Sequence, residues 1–392
     1  MIGSIDVAVI GGGVIGSSIA YYLAKENLKV SLFERGELAS GASGANQGAV
    51  VAQFFKGRLL DLVTESKKMF RSLVYELGYD FEVDVVGSVI CLDREDQWPV
   101  IEANAQELRQ KNVSVKLISG KELRELDPDF AEDIPGASVC EDDLLLDPIK
   151  LVYGFALAAE KLGAEVNKFT EVRKIKLENG EVRSILTDRG EIKTNFIVNA
   201  AGAWSPIVGE MVGLKIPVRP RRGQIIVTEP VRLARLRNVL DADYLTTAFD
   251  LEAVTKAKDP RIKLGVAASL TQPRSGNWLL GSSRDSPGLD ERTTVETLRY
   301  IARRAIRFIP KLENVNIIRT FAGLRPLSDD GKHIVGKVEG IEGLVLATAH
   351  HGEGIVFAPV TGKLVAELIK SGRPSLSIDE FNLSRFNGGR DP

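Results

Sequence analysis

Ile5-Asp6-Val7-Ala8-Val9-Ile10-Gly11-Gly12-Gly13-Val14-Ile15-Gly16 reads as an apolar strand that runs into a glycine turn and opens a helix. Val30-Ser31-Leu32-Phe33-Glu34 reads as the next strand, closed by an acid. Gly11 permits a sharp exit from the first strand, Gly13 lets backbone approach a phosphate with no Cβ in the way, and Gly16 lets the helix lie close to the sheet. The first N–H groups of the helix, with its dipole, attract an anion. Glu34 follows at the distance where a carboxylate accepts hydrogen bonds from ribose hydroxyls. A lone glycine pattern of this kind is weak evidence. Here the preceding strand, the following helix and the acid all stand in place, which predicts a unit that holds the pyrophosphate of a dinucleotide, and hence redox chemistry.

The rest of the chain bounds that reading. Its 392 residues predict two to three domains, and 44% hydrophobic with 27% charged residues is ordinary for a globular protein. A net charge of −2 supplies no basic field for nucleic acid. Cys91 and Cys140 stand far apart and form no CxxC, which predicts two buried thiols in a reducing compartment and no Fe–S site. No charged n-region followed by an apolar h-region opens the chain, and no long uncharged apolar run follows. The default compartment is the cytoplasm, which leaves room for peripheral membrane association.

Along the chain, residues 36–56 are rich in Gly, Ala and Ser, suited to a loop that runs over a ligand. Apolar spacing predicts helices from Leu59 to Gly78 and from Trp98 to Gln110. Strands are predicted around Gly87, from Val83 to Leu92, and the Pro-containing stretch from Leu123 to Ile134 reads as loop-rich. Asp147-Pro148 starts a helix to Leu162. Strands are expected over Glu165–Val172, Arg173–Glu178 and Val182–Thr187, the last two joined at Asn179-Gly180. A buried strand from Phe196 runs into the small residues Ala200-Ala201-Gly202. Residues 217–285 alternate as antiparallel strands, Thr294–Phe308 is an amphipathic helix, and Val356–Ser371 is the last helix before a polar end after Phe386.

The nucleotide-binding elements thus fall in separated segments. The expected architecture is α/β plus α+β: a discontinuous Rossmann-type binding domain (1–80, 145–215 and 318–392) with an inserted antiparallel-sheet substrate domain (81–144 and 216–317).

Four further stretches carry a resemblance. They are the Ser/Gly loop Ser40–Gly48, Glu171-Val172-Arg173-Lys174-Ile175, Val198-Asn199-Ala200-Ala201-Gly202-Ala203-Trp204, and the pair Phe321-Ala322-Gly323-Leu324-Arg325-Pro326 and His350-His351-Gly352-Glu353-Gly354-Ile355. Together with the opening motif, and over nearly the whole chain, they resemble the D-amino-acid-oxidase-like family of FAD enzymes. That family includes glycine and sarcosine oxidases, D-amino acid dehydrogenases and the catalytic subunits of dye-linked proline or opine dehydrogenases. The resemblance implies non-covalent FAD, because neither cysteine sits in the family's attachment motif and no histidine lies near the N-terminal loop. It implies contacts to FAD from Gly11, Gly13, Val14, Ile15, Gly16, Glu34, Arg35, Ser40, Ser43, Asn46, Gln47, Gly48, Val172, Ala200, Ala201, Gly202, Trp204, Gly323, Arg325, Gly352, Glu353, Gly354 and Ile355.

The resemblance also implies FAD-dependent oxidation of the C–N bond of a small amino acid or secondary amine, of the proline, hydroxyproline, sarcosine, glycine or D-amino acid type. Hydride transfer goes to flavin N5, and the flavin performs the hard step. Arg325 stands where the family pairs an arginine with the substrate carboxylate, and a guanidinium fixes orientation as well as charge. The turn Gly352–Ile355 precedes the last helix, whose N–H groups suit negative charge on the reduced ring. Glu353 is awkward there, and its direction, toward a substrate amine or a neighbouring subunit, stays open. His350 and His351 are candidate bases, although the family usually needs no protein base, and His333 supplies no metal site with them. Tyr244, Ser269 and Thr271 are candidates for a lid from the antiparallel strands.

Related dehydrogenase subunits resemble this sequence in carrying an acid in that turn, and the resemblance mildly favours a dehydrogenase subunit over an oxidase. Such a subunit passes electrons to a quinone, a dye or partner subunits carrying other redox centres, in an oligomer. The alternatives are a glycine- or sarcosine-type oxidase producing hydrogen peroxide, a non-catalytic FAD-bearing subunit, and an NAD-dependent dehydrogenase.

Overall fold

The computed structural model describes residues 4–386, apart from 234, 235, 237, 246–253 and 255. The opening unit forms as its sequence directs. Strand Ile5–Ile10, helix Val14–Lys25 and strand Val30–Phe33 are consecutive, and the two strands pair in parallel with Val7 opposite Val30 and Ile10 opposite Phe33. The strands are buried on both faces, which explains their continuous apolar runs.

Around them lies the first of two large sheets. Leu344–Thr348, Gly190–Asn199, Ile5–Ile10, Val30–Phe33 and Glu165–Asn167 run in parallel, brought together from distant segments. An antiparallel meander, Val172–Glu178 and Glu181–Thr187, extends this sheet through Gly190–Asn199. Its turn uses Asn179 and Gly180, both at positive φ (53° and 80°), the geometry that suits the twist of a two-residue hairpin. Helix Val14–Lys25 is sandwiched by Gly354–Ser371 and Pro148–Lys161. Asp147 caps the latter by accepting from the N–H groups of Ile149 and Lys150, both at 2.9 Å.

The second sheet has the order Ile317–Ser328, Val218–Pro230, Asn277–Gly281, Ser269–Thr271, Asn238–Asp241, Ser88–Cys91, Gly136–Cys140, Lys116–Ser119. Its neighbours are antiparallel except Asn238–Asp241 against Ser88–Cys91, which is parallel. Helix Val295–Phe308 covers it, burying Ile301, Ala305 and Phe308 beside Trp278. Both cysteines are buried free thiols, and burial pushes each thiol pKa up.

Four local expectations are corrected. Strand Ile317–Ser328, assigned from sequence to the nucleotide-binding part, is hydrogen-bonded along Val218–Pro230 in the second sheet, so the sheets change hands after Ser328. Leu123–Leu126, the start of the stretch read as loop-rich, belong to a helix over Gly120–Leu126, because Ser119 and Glu122 make a reciprocal capping box. The strand expected over Glu165–Val172 ends at Asn167, and Phe169 takes a positive φ of 50°. The last helix starts at Gly354. The polar end after Phe386 and residues 246–253 of the alternating segment lie outside the described residues.

Candidate active site

The carboxyl end of the first strand meets the amino end of the first helix at Gly11, whose φ is +113°. A Cβ there would stand 2.5 Å from the Ala200 carbonyl oxygen, and one on Gly16 would stand 1.9 Å from the Gly11 carbonyl oxygen. The small residues after strand Gly190–Asn199 are thus pressed against the glycine turn, and Ala200 N–H donates to the Ile10 carbonyl at 2.9 Å. Glu34 accepts from the N–H groups of Gly12 (2.7 Å) and Gly36 (2.8 Å), which fixes its carboxylate at the mouth of the turn. Val14 N–H donates to the Ser43 hydroxyl at 2.9 Å, tying the Ser/Gly loop across the helix start.

A cleft of about 460 Å³ opens from this turn. One stretch of its wall comprises Gly11, Gly13, Val14, Ile15, Glu34, Arg35, Ser40, Ser43, Val172, Ala200, Ala201, Gly202 and Trp204. The Arg35 guanidinium stacks 4.4 Å from the centre of the Trp204 ring. The other stretch carries Asn46, Gln47, Tyr244, Ser269, Gly323, Arg325, His350, His351, Gly352, Glu353, Gly354 and Ile355. Asn46 donates to the Gly352 carbonyl at 3.0 Å, and His351 N–H donates to the Pro326 carbonyl at 3.1 Å, so the last turn is held by both the loop and the second sheet.

Three expected residues stand off the wall. Gly16 acts through packing. Gly48, at φ +78°, turns the loop beside Leu146, where a Cβ would stand 1.8 Å from the carbonyl oxygen. Thr271 is buried and donates to the Gln47 carbonyl at 3.3 Å. Tyr244 reaches the cleft from the segment just after strand Asn238–Asp241, not from a strand.

The charged part of the wall is assembled from several elements. Arg325 Nη1 donates to the Ser283 carbonyl at 2.9 Å, one of five donors on the group, and the guanidinium lies flat over Gly223, where no side chain would fit. Burial, and then the neighbouring Arg284 guanidinium, lower the Arg325 pKa to about 10, so it stays cationic at neutral pH. Glu353 accepts from the Tyr244 hydroxyl at 3.3 Å. Its pKa is raised by burial, against the pull of Arg284, Arg325 and the tyrosine hydrogen bond. Arg284 stacks 4.2 Å from the Tyr244 ring centre, and Phe54 stacks on the same ring at 4.7 Å.

His351, at φ 57°, places Nε2 3.4 Å from Arg221 Nη1. Burial, then Arg221 and Arg325, hold its pKa well below the usual value. His350 packs on His333 and contacts the Thr361 hydroxyl at 3.2 Å, and burial brings its pKa to about 3. Both rings are therefore neutral, and neither readily takes up a proton at neutral pH. Sequence reasoning missed Arg221, Arg284 and Phe54. Arg221 sits as Pro220-Arg221-Arg222-Gly223 in a strand that is buried continuously from Arg221 to Ile226, and nothing in its spacing marks the charge as inward.

The model of the FAD dependent oxidoreductase family (DAO) matches residues 6–368. The chain belongs to this family. It is 30% identical over 394 residues to a glycine oxidase of Geobacillus kaustophilus, covering 98% of this chain and 97% of that one. It is 28% identical over 424 residues to the hydrogen cyanide synthase subunit HcnC of Pseudomonas aeruginosa, covering 97% and 96%. The crystal structure of L-proline dehydrogenase from P. horikoshii superposes with a TM-score of 0.88 at 26% identity, covering 100% of both chains. FAD is the cofactor, and the cleft suits it. The glycine turn leaves no Cβ at the helix start, a carboxylate is fixed where a ribose would hydrogen-bond, and a Cβ on Gly323 would meet that of Ala45 at 2.4 Å, so only a bare backbone fits beside the loop there. Among the described residues no helix is long and apolar enough to cross a membrane.

Proposed function

We propose that this oxidoreductase breaks a C–H bond next to nitrogen in a small amino acid or secondary amine of the proline, hydroxyproline, sarcosine, glycine or D-amino acid type, giving an imine. The observation that carries this reading is Arg325, a half-buried cationic guanidinium in the cleft wall with one donor spent on the protein. A carboxylate meeting it gains parallel charge-assisted hydrogen bonds, which orient the α-carbon as well as bind it. FAD bound in the cleft supplies the acceptor for the hydride. The amino end of helix Gly354–Ser371 lies on the same wall, so its N–H groups and dipole favour negative charge there. Water closes the sequence by hydrolysing an open-chain imine.

The electron acceptor is a quinone, a dye or a redox centre on a partner subunit. The similarity to HcnC, itself named as a subunit, supports an assembly of this kind. The similarity to glycine oxidase favours a second reading, with oxygen as acceptor and hydrogen peroxide as product. Anaerobic mixing of the FAD-loaded protein with a panel of amino acids tests the reaction. Bleaching of the flavin band by at least one member is expected, and no bleaching by any of them overturns it. Rapid reoxidation of the reduced protein by dissolved oxygen then selects the oxidase, and slow reoxidation the dehydrogenase.

A further inference from the structure

A small amino acid reaches the cleft at neutral pH as a zwitterion, since its ammonium titrates near pH ~10. Hydride cannot leave the α-carbon usefully until the nitrogen has a free electron pair, so one ammonium proton must go first. The cleft offers a place for each charge. Arg325 Nε would lie 2.9 Å from a Cβ on Gly352, so the guanidinium borders the turn that carries Glu353, and both side chains line the same cavity. We propose, building on the function proposed above, that Glu353 is the base that receives the substrate ammonium proton while Arg325 holds the carboxylate.

In this step an N–H bond breaks and an O–H bond forms on the Glu353 carboxylate. The electron pair stays on nitrogen and supports departure of the hydride, for which the family's FAD is the oxidant. The groups facing Glu353 come from separate elements: Tyr244 after strand Asn238–Asp241, Arg284 after strand Asn277–Gly281, and Arg325 on strand Ile317–Ser328. His350 and His351 on its own turn are neutral, and Arg221 lies beyond His351. The two arginines and the tyrosine hydroxyl favour the anion before substrate arrives, and burial favours the acid once a proton is offered. With these histidines held neutral by burial and Asp285 off the cleft wall and paired with Arg222, Glu353 is, among the described residues, the carboxylate beside Arg325 that faces the cavity.

The test uses the FAD-loaded enzyme, its Glu353→Gln and Glu353→Asp variants, and three probes. Two, 2-aminoisobutyrate and 2-methylproline, have no α-hydrogen and cannot react. The third, isobutyrate, has the carboxylate without nitrogen. Calorimetry in buffers of different ionisation enthalpy counts protons released on binding. The wild type is expected to release almost none with the amines, because the proton passes to Glu353. Glu353→Gln is expected to release about one and to bind the amines on the order of 100-fold more weakly near neutral pH, while isobutyrate changes by less than about threefold. The flavin-bleaching rate with a reactive amino acid should be flat over about pH 7–9 in the wild type and in Glu353→Asp, and should climb roughly tenfold per pH unit in Glu353→Gln. A wild-type rate that already climbs in that way, or a Glu353→Gln profile parallel to the wild type, overturns the assignment while Arg325 keeps its role. Failure of every carboxylate to bind and of every amino acid to bleach removes the proposed function as well.

Discussion

The two stretches of the cleft wall are built on opposite plans. Around Gly11 the chain presents backbone: N–H groups, carbonyls and missing side chains, with Glu34 bonded to Gly12 only 22 residues away. Around Arg325 it presents half-buried charge, and the Tyr244 hydroxyl that meets Glu353 comes from 109 residues away. A phosphate-bearing ligand is held by a geometry that any short glycine turn can make. A reacting zwitterion needs opposite charges kept apart, out of water and at fixed places, which no local segment supplies. The difference predicts that damage to one stretch should leave the other working.

The largest effect should come from Gly16→Val. Side-chain atoms there have no room against the Gly11 carbonyl, and the first helix must move from the sheet. The variant is expected to purify without the yellow cofactor while far-UV circular dichroism shows it folded. Retention of stoichiometric FAD would break the distinction at its cofactor side.

Arg325→Ala probes the other side. FAD should stay bound, and affinity for carboxylate substrates should fall on the order of 100-fold, the loss of a bidentate charged pair. An amine analogue lacking the carboxylate should bind the variant and the wild type alike. Loss of FAD with the arginine would mean that the two stretches are one energetic unit.

Acid should weaken the charged side first. The folded pKa of His350 is about 3, below the usual value of 6.5, because burial disfavours its cation. The unfolded chain therefore binds more protons between these values, so the stability present above the unfolded pKa is lost as pH falls from 6.5 toward 3. The loss amounts to about 1.4 kcal/mol per pH unit in the steep part. Other buried groups, His333 and His351 among them, add to the measured slope, and in denaturant unfolding at a series of pH values His350→Gln should make it shallower by about this amount.

Tyr244→Phe should have the smallest effect. It removes one neutral donor from Glu353 and keeps the ring between Phe54 and Arg284. A three- to tenfold slower flavin reduction, about 1 kcal/mol, is expected with unchanged FAD content. A hundredfold loss would instead place the hydroxyl on the substrate.

What could be read in advance follows the same division. The strand–turn–helix–strand opening, the cap at Asp147 and the hairpin at Asn179-Gly180 are set by neighbours in the chain, where backbone sterics and local hydrogen bonds decide, and the structure forms each of them. The place of strand Ile317–Ser328 could not be read that way. Its partner, Val218–Pro230, begins about a hundred residues earlier, and the apolar alternation of a strand does not say which sheet will bury it.

The sequence alone determined the glycine turn that opens the first helix and suits a dinucleotide, because Gly11 takes a φ of +113° and Gly16 leaves no room for a side chain. Only the tertiary structure decided that Arg325, Tyr244 and Glu353 would share one cleft wall, with the buried Arg221 and Arg284 close to them. Charges so distant in the chain acquire neighbours only when two sheets close around them, and the energy of a charge depends on those neighbours rather than on its place in the sequence.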